Sequence, residues 1–175
     1  MEVIKNLISR DTAEILGQAL LFSKINDKDP KTDDLLVQNA YSCYGHCVGE
    51  SLLLHIQPKI QELVGFKIFP TYSYYRVYEL GHEMPIHTDR DSCEISVSMT
   101  LKYNKTNWSI KIEDREIYLE PGDALIYKGR EFPHWRDTYE GEEGSYLIQI
   151  FMHYVDSDGK FSHLKYDGRK GIGVD

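Results

Sequence analysis

Residues 94–103 read Glu-Ile-Ser-Val-Ser-Met-Thr-Leu-Lys-Tyr. In an extended chain Ile95, Val97, Met99, Leu101 and Tyr103 share one face, and Glu94, Ser96, Ser98, Thr100 and Lys102 the other, because successive side chains leave opposite sides of a strand. This period of two predicts a strand with one face on an apolar core and one face polar. Outward from it, strands are predicted over 72–79, 109–112, 115–119, 123–127, 134–137 and 145–155. Turn residues separate them at Asp114, Pro121-Gly122, Gly129 and the stretch 140–144. Short strands with frequent turns predict a jelly roll or β-sandwich.

Upstream of Gly65 the period is helical. Asp11 is placed to cap a helix over 12–23, where Ile15, Leu16, Ala19, Leu20 and Leu21 form an apolar stripe. Thr32 is read as the start of a short helix through 34–41. A third helix is predicted over 47–64, with Val48, Leu52, Ile56, Ile60 and Leu63 recurring, a kink at Pro58 and a C-cap at Gly65. Helices first and strands after make the class α+β. With no repeat or linker, one domain over 1–175 is expected. It comprises a helical N-terminal region over 1–65, a jelly-roll core over 66–156, and a coil tail over 157–175 that covers an edge or mediates dimerisation.

The chain has 175 residues and a formal net charge of −8, from 20 Lys+Arg against 28 Asp+Glu. That balance argues against a nucleic-acid partner, which gains affinity by neutralising phosphates. Tyr outnumbers Phe, 13 to 6, a bias suited to strands lining a half-wet cavity. Cys43, Cys47 and Cys93 make no disulfide framework and are expected to be buried thiols in a reducing, cytoplasmic compartment. The first residues, MEVIKNLISRDTAEIL, are charged throughout, unlike a signal peptide, and no segment has the apolar length of a membrane span.

The chemistry concentrates in Leu80-Gly81-His82-Glu83-Met84-Pro85-Ile86-His87-Thr88-Asp89. His87 and Asp89, two apart in a strand-like segment, leave the same face with Cα atoms ~6.8 Å apart. Downstream, Pro121-Gly122-Asp123 opens a strand, Gly129 marks a turn, and His134 begins the next strand. In a jelly roll this returns His134 beside the earlier strand. Two histidines and one carboxylate on one face, with open coordination positions, form the facial triad of non-haem Fe(II) oxygenases. His82 and His153 are read as structural histidines, and Trp108 and Trp135 as core.

From about Tyr72 to Tyr154 the chain resembles the 2-oxoglutarate/Fe(II)-dependent dioxygenase superfamily, in particular its small prolyl-4-hydroxylase-like bacterial and phage members. The resemblance implies a double-stranded β-helix (a jelly-roll, cupin-like core) with helices packed outside. It implies Fe(II) held by His87, Asp89 and His134, and 2-oxoglutarate and O2 as co-substrates. The activity implied is hydroxylation of a peptide residue or small molecule, coupled to decarboxylation of 2-oxoglutarate to succinate. The carboxylate at Asp89 points to hydroxylation rather than halogenation.

Many members carry a basic residue nine to eleven positions after the second histidine. Here those positions hold Glu143, Gly144 and Ser145. The remaining candidates for the distal carboxylate of 2-oxoglutarate are Lys102 on the polar face of 94–103, placed first because it resembles the strand lysine of the asparaginyl-hydroxylase and JmjC-like members, Arg136 on the face of His134 as the runner-up, and Arg76. Tyr78 and Gln149 are further candidates for contacts to the co-substrate. The alternative is a non-oxidative cupin-like metal enzyme or ligand-binding protein.

Overall fold

The structure is a computed structural model and describes residues 1–28, 34 and 36–174. In chain order the elements are β1 (Glu2–Ile4), α1 (Arg10–Asn26), β2 (Tyr41–Tyr44), α2 (Cys47–Val64), β3 (Ile68–Glu79), β4 (Met84–His87), β5 (Ile95–Asn104), β6 (Ile110–Ile112), β7 (Arg115–Ile117), β8 (Ala124–Tyr127), β9 (His134–Arg136) and β10 (Tyr146–Asp156). They form a six-stranded sheet ordered β1-β8-β5-β10-β3-β2 and a four-stranded sheet ordered β4-β9-β6-β7. Every pairing in both is antiparallel. This is the double-stranded β-helix, and the class is α+β as expected.

The two faces of the larger sheet differ in chemistry. Ile95, Val97, Met99 and Leu101 of β5 and Ile148, Ile150 and Met152 of β10 pack with Ala13 and Leu20 of α1 and Leu52, Leu53, Ile56 and Ile60 of α2. The opposite face, turned toward the smaller sheet, carries Ser96, Ser98 and Thr100 of β5 beside Gln149, Phe151 and His153 of β10. Alternation breaks once. The register of β10 on β5 slips between Ile148 and Gln149, so that Lys102 pairs with Ile148 while Thr100 pairs with Gln149. A bulge of this kind reverses which face the following side chains occupy.

Both helices are capped by their own sequence. At α1 the cap is Ser9 rather than Asp11. The Ser9 Oγ accepts from Thr12 N at 3.1 Å, which leaves Asp11 in the first turn, where the helix dipole favours its charge. His46 Nδ1 accepts from Val48 N at 3.3 Å to start α2. The helix continues through Pro58 and ends at Gly65, whose φ of 81° is left-handed. Glu50 of α2 is buried and accepts from Ser73 N and Oγ of β3 at 2.9 and 2.8 Å, tying helix to sheet.

The short helix expected over 34–41 is not formed by its described residues, and Thr32 and Leu35 lie outside them. Asp34 Oδ1 instead accepts from Leu36 N and Val37 N at 2.9 and 3.0 Å, Asn39 has a φ of 62°, and β2 begins at Tyr41. Such bonds would equally cap a helix, but the left-handed Asn39 and the Ala40 N–H donating to Val37 O at 3.3 Å close a turn instead. Of the three cysteines only Cys93 is buried; Cys43 is half-buried and Cys47 exposed at the first turn of α2. No helix among the described residues is long and apolar enough to cross a membrane.

Leu53 is completely buried between α2 and the sheet. Leu53→Ala is therefore expected to lower stability by about 2–5 kcal/mol, read from the urea unfolding midpoint with an unchanged far-UV spectrum.

Candidate metal centre and its cavity

β4 and β9 pair so that His87 lies opposite His134, with imidazole centroids 4.2 Å apart. Asp89 follows just beyond β4, where its backbone N–H donates to Gly129 O at 2.9 Å. The Nε2 atoms of His87 and His134 each lie 3.6 Å from Asp89 Oδ1. Each Nδ1 sits 2.9 Å from a carbonyl two residues upstream, Pro85 O for His87 and Phe132 O for His134. A carbonyl can only accept, so both Nδ1 atoms carry the proton and both Nε2 lone pairs face the shared point. The ligand atoms of His87, Asp89 and His134 lie within 4.8 Å of one another. The donor set is two imidazoles and one carboxylate, the set that suits Fe(II) with positions left open.

Asp89 is held from behind. Its Oδ2 accepts from Ser96 Oγ at 2.8 Å, and Ser96 Oγ lies 3.1 Å from His153 Nδ1. Gly129 makes room for this packing: a Cβ there would stand 2.1 Å from Asp89 Oδ2 and 2.4 Å from Ser96 Oγ. Burial by itself would raise the Asp89 carboxyl, but the neighbouring His87, His153 and His134 rings and the Ser96 hydroxyl outweigh it. The carboxyl is held well below its usual range and stays ionised. Burial lowers His134, and lowers His153 to about 4, so that both rings are neutral near pH 7. Neutral imidazoles are the form a metal needs.

The three ligands open onto a cavity of about 580 Å³ whose walls include Tyr44, Tyr72, Tyr74, Arg76, Arg90 and His153. These tyrosines and Arg76 come from alternate positions of β3 and from β2, so the Tyr-rich stretch does line a half-wet cavity. Arg76 is bound by Asp34 through Nε at 2.5 Å and Nη2 at 3.0 Å. Arg90 donates to Asp167 Oδ2 at 2.7 Å. A cleft of about 670 Å³ between α2 and the segment entering α1 is lined by Leu7, Ile8, Leu16, Val48 and Leu52 and contains none of the metal-ligand residues.

Of the residues expected to meet 2-oxoglutarate, the structure brings Tyr78, Arg136 and Gln149 to the barrel interior and leaves Lys102 out. The bulge after Thr100 turns Lys102 toward α1, where its Cβ would be 2.6 Å from a Cβ built at Gly17. It also turns Tyr103 toward Tyr139 and Leu147, against the facing read from strict alternation. Arg136 is 2% exposed. Its Nη1 donates to Trp108 O at 2.6 Å, and its guanidinium lies 4.9 Å from the Trp108 ring and 5.6 Å from the Tyr78 ring. Its Nε has no hydrogen-bond partner, and no carboxylate among the described residues pairs with it. Burial lowers Arg136 from its usual value, the mark of a cation lacking a counter-charge. Gln149 is fully buried, accepting from Thr100 Oγ1 at 2.9 Å and donating to Ser98 Oγ at 2.8 Å. His82 Nδ1 accepts from Glu79 N at 3.0 Å and serves the β3–β4 turn, as read. Ser96, Gly129 and Asp34 are site components that the residue pattern does not name, while Arg76, a candidate from the sequence, is paired with Asp34, and His153, read as structural, faces the cavity. Ser96 alone left a signal, as a small hydroxyl on the polar face of 94–103.

No family model matches the sequence, and neither does any curated protein. Solved structures do match. The viral collagen prolyl hydroxylase vCPH of Paramecium Bursaria Chlorella virus-1, solved with 2-oxoglutarate, superposes with a TM-score of 0.64 at 14% identity, covering 87% of this chain and 94% of that one. A Pseudomonas putida prolyl-4-hydroxylase gives 0.66 at 12% identity, covering 89% and 91%. HygX from Streptomyces hygroscopicus, solved with nickel and 2-oxoglutarate, gives 0.67 at 10% identity, covering 89% and 82%. The chain therefore has the fold of the 2-oxoglutarate/Fe(II)-dependent oxygenases.

Two outcomes follow from this geometry. Gly129→Ala, whose backbone any residue can adopt, is expected to push Asp89 aside and weaken Ni(II) or Co(II) binding by about 10–100-fold in titration calorimetry. The second concerns pH. His153 has a folded value near 4, below an unfolded value of about 6.5, so the unfolded chain binds the extra proton and stability falls as pH drops between the two. The metal-free protein is expected to lose roughly 3 kcal/mol from this group between pH 6.5 and 4, a slope that His153→Phe flattens in urea unfolding.

Proposed function

We propose that the protein is an Fe(II)- and 2-oxoglutarate-dependent oxygenase that hydroxylates a peptide residue or small molecule and converts 2-oxoglutarate to succinate. The observation that carries this reading is the pairing of an open-sided His87–Asp89–His134 cluster with an unneutralised buried guanidinium on the same strand face. Arg136 leaves the face of β9 that His134 leaves, one pleat period (~6.8 Å) further on. A dicarboxylate reaching inward from the metal ligands along β9 would bring its far end to this charge.

In this reading His87, Asp89 and His134 hold Fe(II), which when bound supplies the one-electron and O2 chemistry that the side chains lack. Arg136 takes the far carboxylate of 2-oxoglutarate, using the Nε–H left unpaired. A guanidinium can do this with two parallel donors. Tyr78, whose ring lies against Arg136, and Gln149 complete the walls around the co-substrate. Lys102 takes no role in it. The cavity mouth, with Tyr44, Tyr72 and Tyr74, is left for the prime substrate.

The test is succinate formation by purified protein with Fe(II), O2 and 2-oxoglutarate, with or without a coupled substrate. Arg136→Leu is expected to raise KM for 2-oxoglutarate by about 10–100-fold, the loss of a charge-assisted pair. Lys102→Ala is expected to leave it within twofold. An absence of succinate from metal-loaded wild-type protein contradicts the reading.

A further inference from the structure

His153 has a feature that metal binding does not require. It is 5% exposed, yet it is one of the residues lining the metal cavity. Its protonation pattern follows from its neighbours. Ser96 has one hydroxyl proton, and Asp89 Oδ2, 2.8 Å away, is a carboxylate oxygen that can only accept it. Ser96 Oγ must then receive its contact to His153, 3.1 Å away, from a proton on Nδ1. A neutral ring with Nδ1 protonated has a bare lone pair on Nε2. Among the described residues, nothing hydrogen-bonds to that Nε2. The ring itself is fixed, packed 4.6 Å from Tyr72, which in turn stacks on Tyr44 at 5.0 Å.

The charges of the mouth are already matched. Arg76 holds the Asp34 carboxylate, and Arg90 holds that of Asp167. An anionic substrate would have to displace one of these aspartates, and a cationic one would meet two arginines. An uncharged group that donates a hydrogen bond disturbs neither pair and satisfies the open Nε2 acceptor of His153.

Resting on the oxygenase reading of the cavity, we propose that His153 Nε2 is the hydrogen-bond acceptor on which the prime substrate docks, and that the substrate presents to it an uncharged alcohol or amide donor beside the Tyr72 ring. His153 thereby has two separable tasks. Nδ1 steadies Ser96 and Asp89, and Nε2 selects a neutral, donor-bearing substrate over a charged or donor-free one.

The test uses protein loaded with diamagnetic Zn(II) and 2-oxoglutarate and labelled with 15N-histidine. N-acetylprolinamide is compared with its N,N-dimethylamide and with N-acetylproline, and methyl glucoside with its permethyl ether. The expected spectrum has His153 protonated at Nδ1 with a bare Nε2, and at least one of the two donor-bearing probes shifts Nε2 while its donor-free and anionic counterparts do not. His153→Asn keeps an amide N–H near the position of Nδ1 and leaves no acceptor at the position of Nε2, which its shorter side chain does not reach. It is expected to retain Zn(II) affinity and to bind the active probe about three- to tenfold more weakly, the effect of one neutral hydrogen bond. His153→Phe is expected to lose on both counts. Protonation at Nε2 overturns the assignment, as do an Nε2 that neither donor probe shifts and one that the donor-free or anionic probes shift equally. Succinate formation is scored in parallel with Fe(II). A silent Nε2 alongside turnover condemns this assignment alone, and absent turnover condemns the oxygenase reading with it.

Discussion

The site is organised around one half-buried carboxylate. Asp89 lies between the two sheets, and burial of an ionised group is expensive unless hydrogen bonds and opposite charge compensate it. Its backbone is pinned to Gly129, its Oδ2 is bonded to Ser96, and its Oδ1 faces the Nε2 atoms of His87 and His134. Each support comes from a different element of the barrel. The antiparallel pairing of β4 with β9 sets the histidines opposite one another, β5 delivers Ser96, and the turn after β8 can approach only because residue 129 has no side chain. The same geometry that makes the carboxylate tolerable makes it a metal ligand.

The barrel exists because its larger sheet has one face for each purpose. The helices cover the apolar side with Leu20, Leu52, Leu53, Ile56 and Ile60, which frees the inner side for hydroxyls, an amide, Arg76 and a histidine, while the smaller sheet contributes Arg136 from β9. Arg76 has its counter-charge in Asp34, whereas Arg136 lies deeper with aromatic rings and a carbonyl about it and, among the described residues, no carboxylate. A buried cation so arranged is stable only to the extent that the rings, the Trp108 carbonyl and a bound anion share its charge. The overall acidity of the chain is thus no guide to the surroundings of Arg136, where a buried cation has no carboxylate among the described residues beside it.

Much of this was legible from the residues. The period-two run at 94–103 fixes a half-polar strand, and the spacing of His87, Asp89 and His134 survives translation into three dimensions because strand pairing is local and regular. What was not legible depends on events that leave no periodic trace. The bulge at the Thr100–Lys102 step moves Lys102 from the cavity to the helix side, and nothing in Thr-Leu-Lys marks it. The 34–41 stretch reads as a short helix, but the left-handed backbone at Asn39 and the turn bond from Ala40 N to Val37 O end it before it forms. His153 reads as one more residue of a β-strand until the hydroxyl of Ser96, far away in sequence, fixes its tautomer.

The proposed chemistry needs one cavity to hold both a metal at His87, Asp89 and His134 and a dicarboxylate whose far end rests on Arg136. The most direct measurement is an anaerobic crystal structure with Mn(II) and 2-oxoglutarate, using anomalous scattering to locate the metal. The expected result is an anomalous peak bonded to all three residues, with the distal carboxylate of 2-oxoglutarate on the Arg136 guanidinium. A metal bound elsewhere, or a carboxylate bound to Lys102 on the α1 side of the sheet, would contradict it.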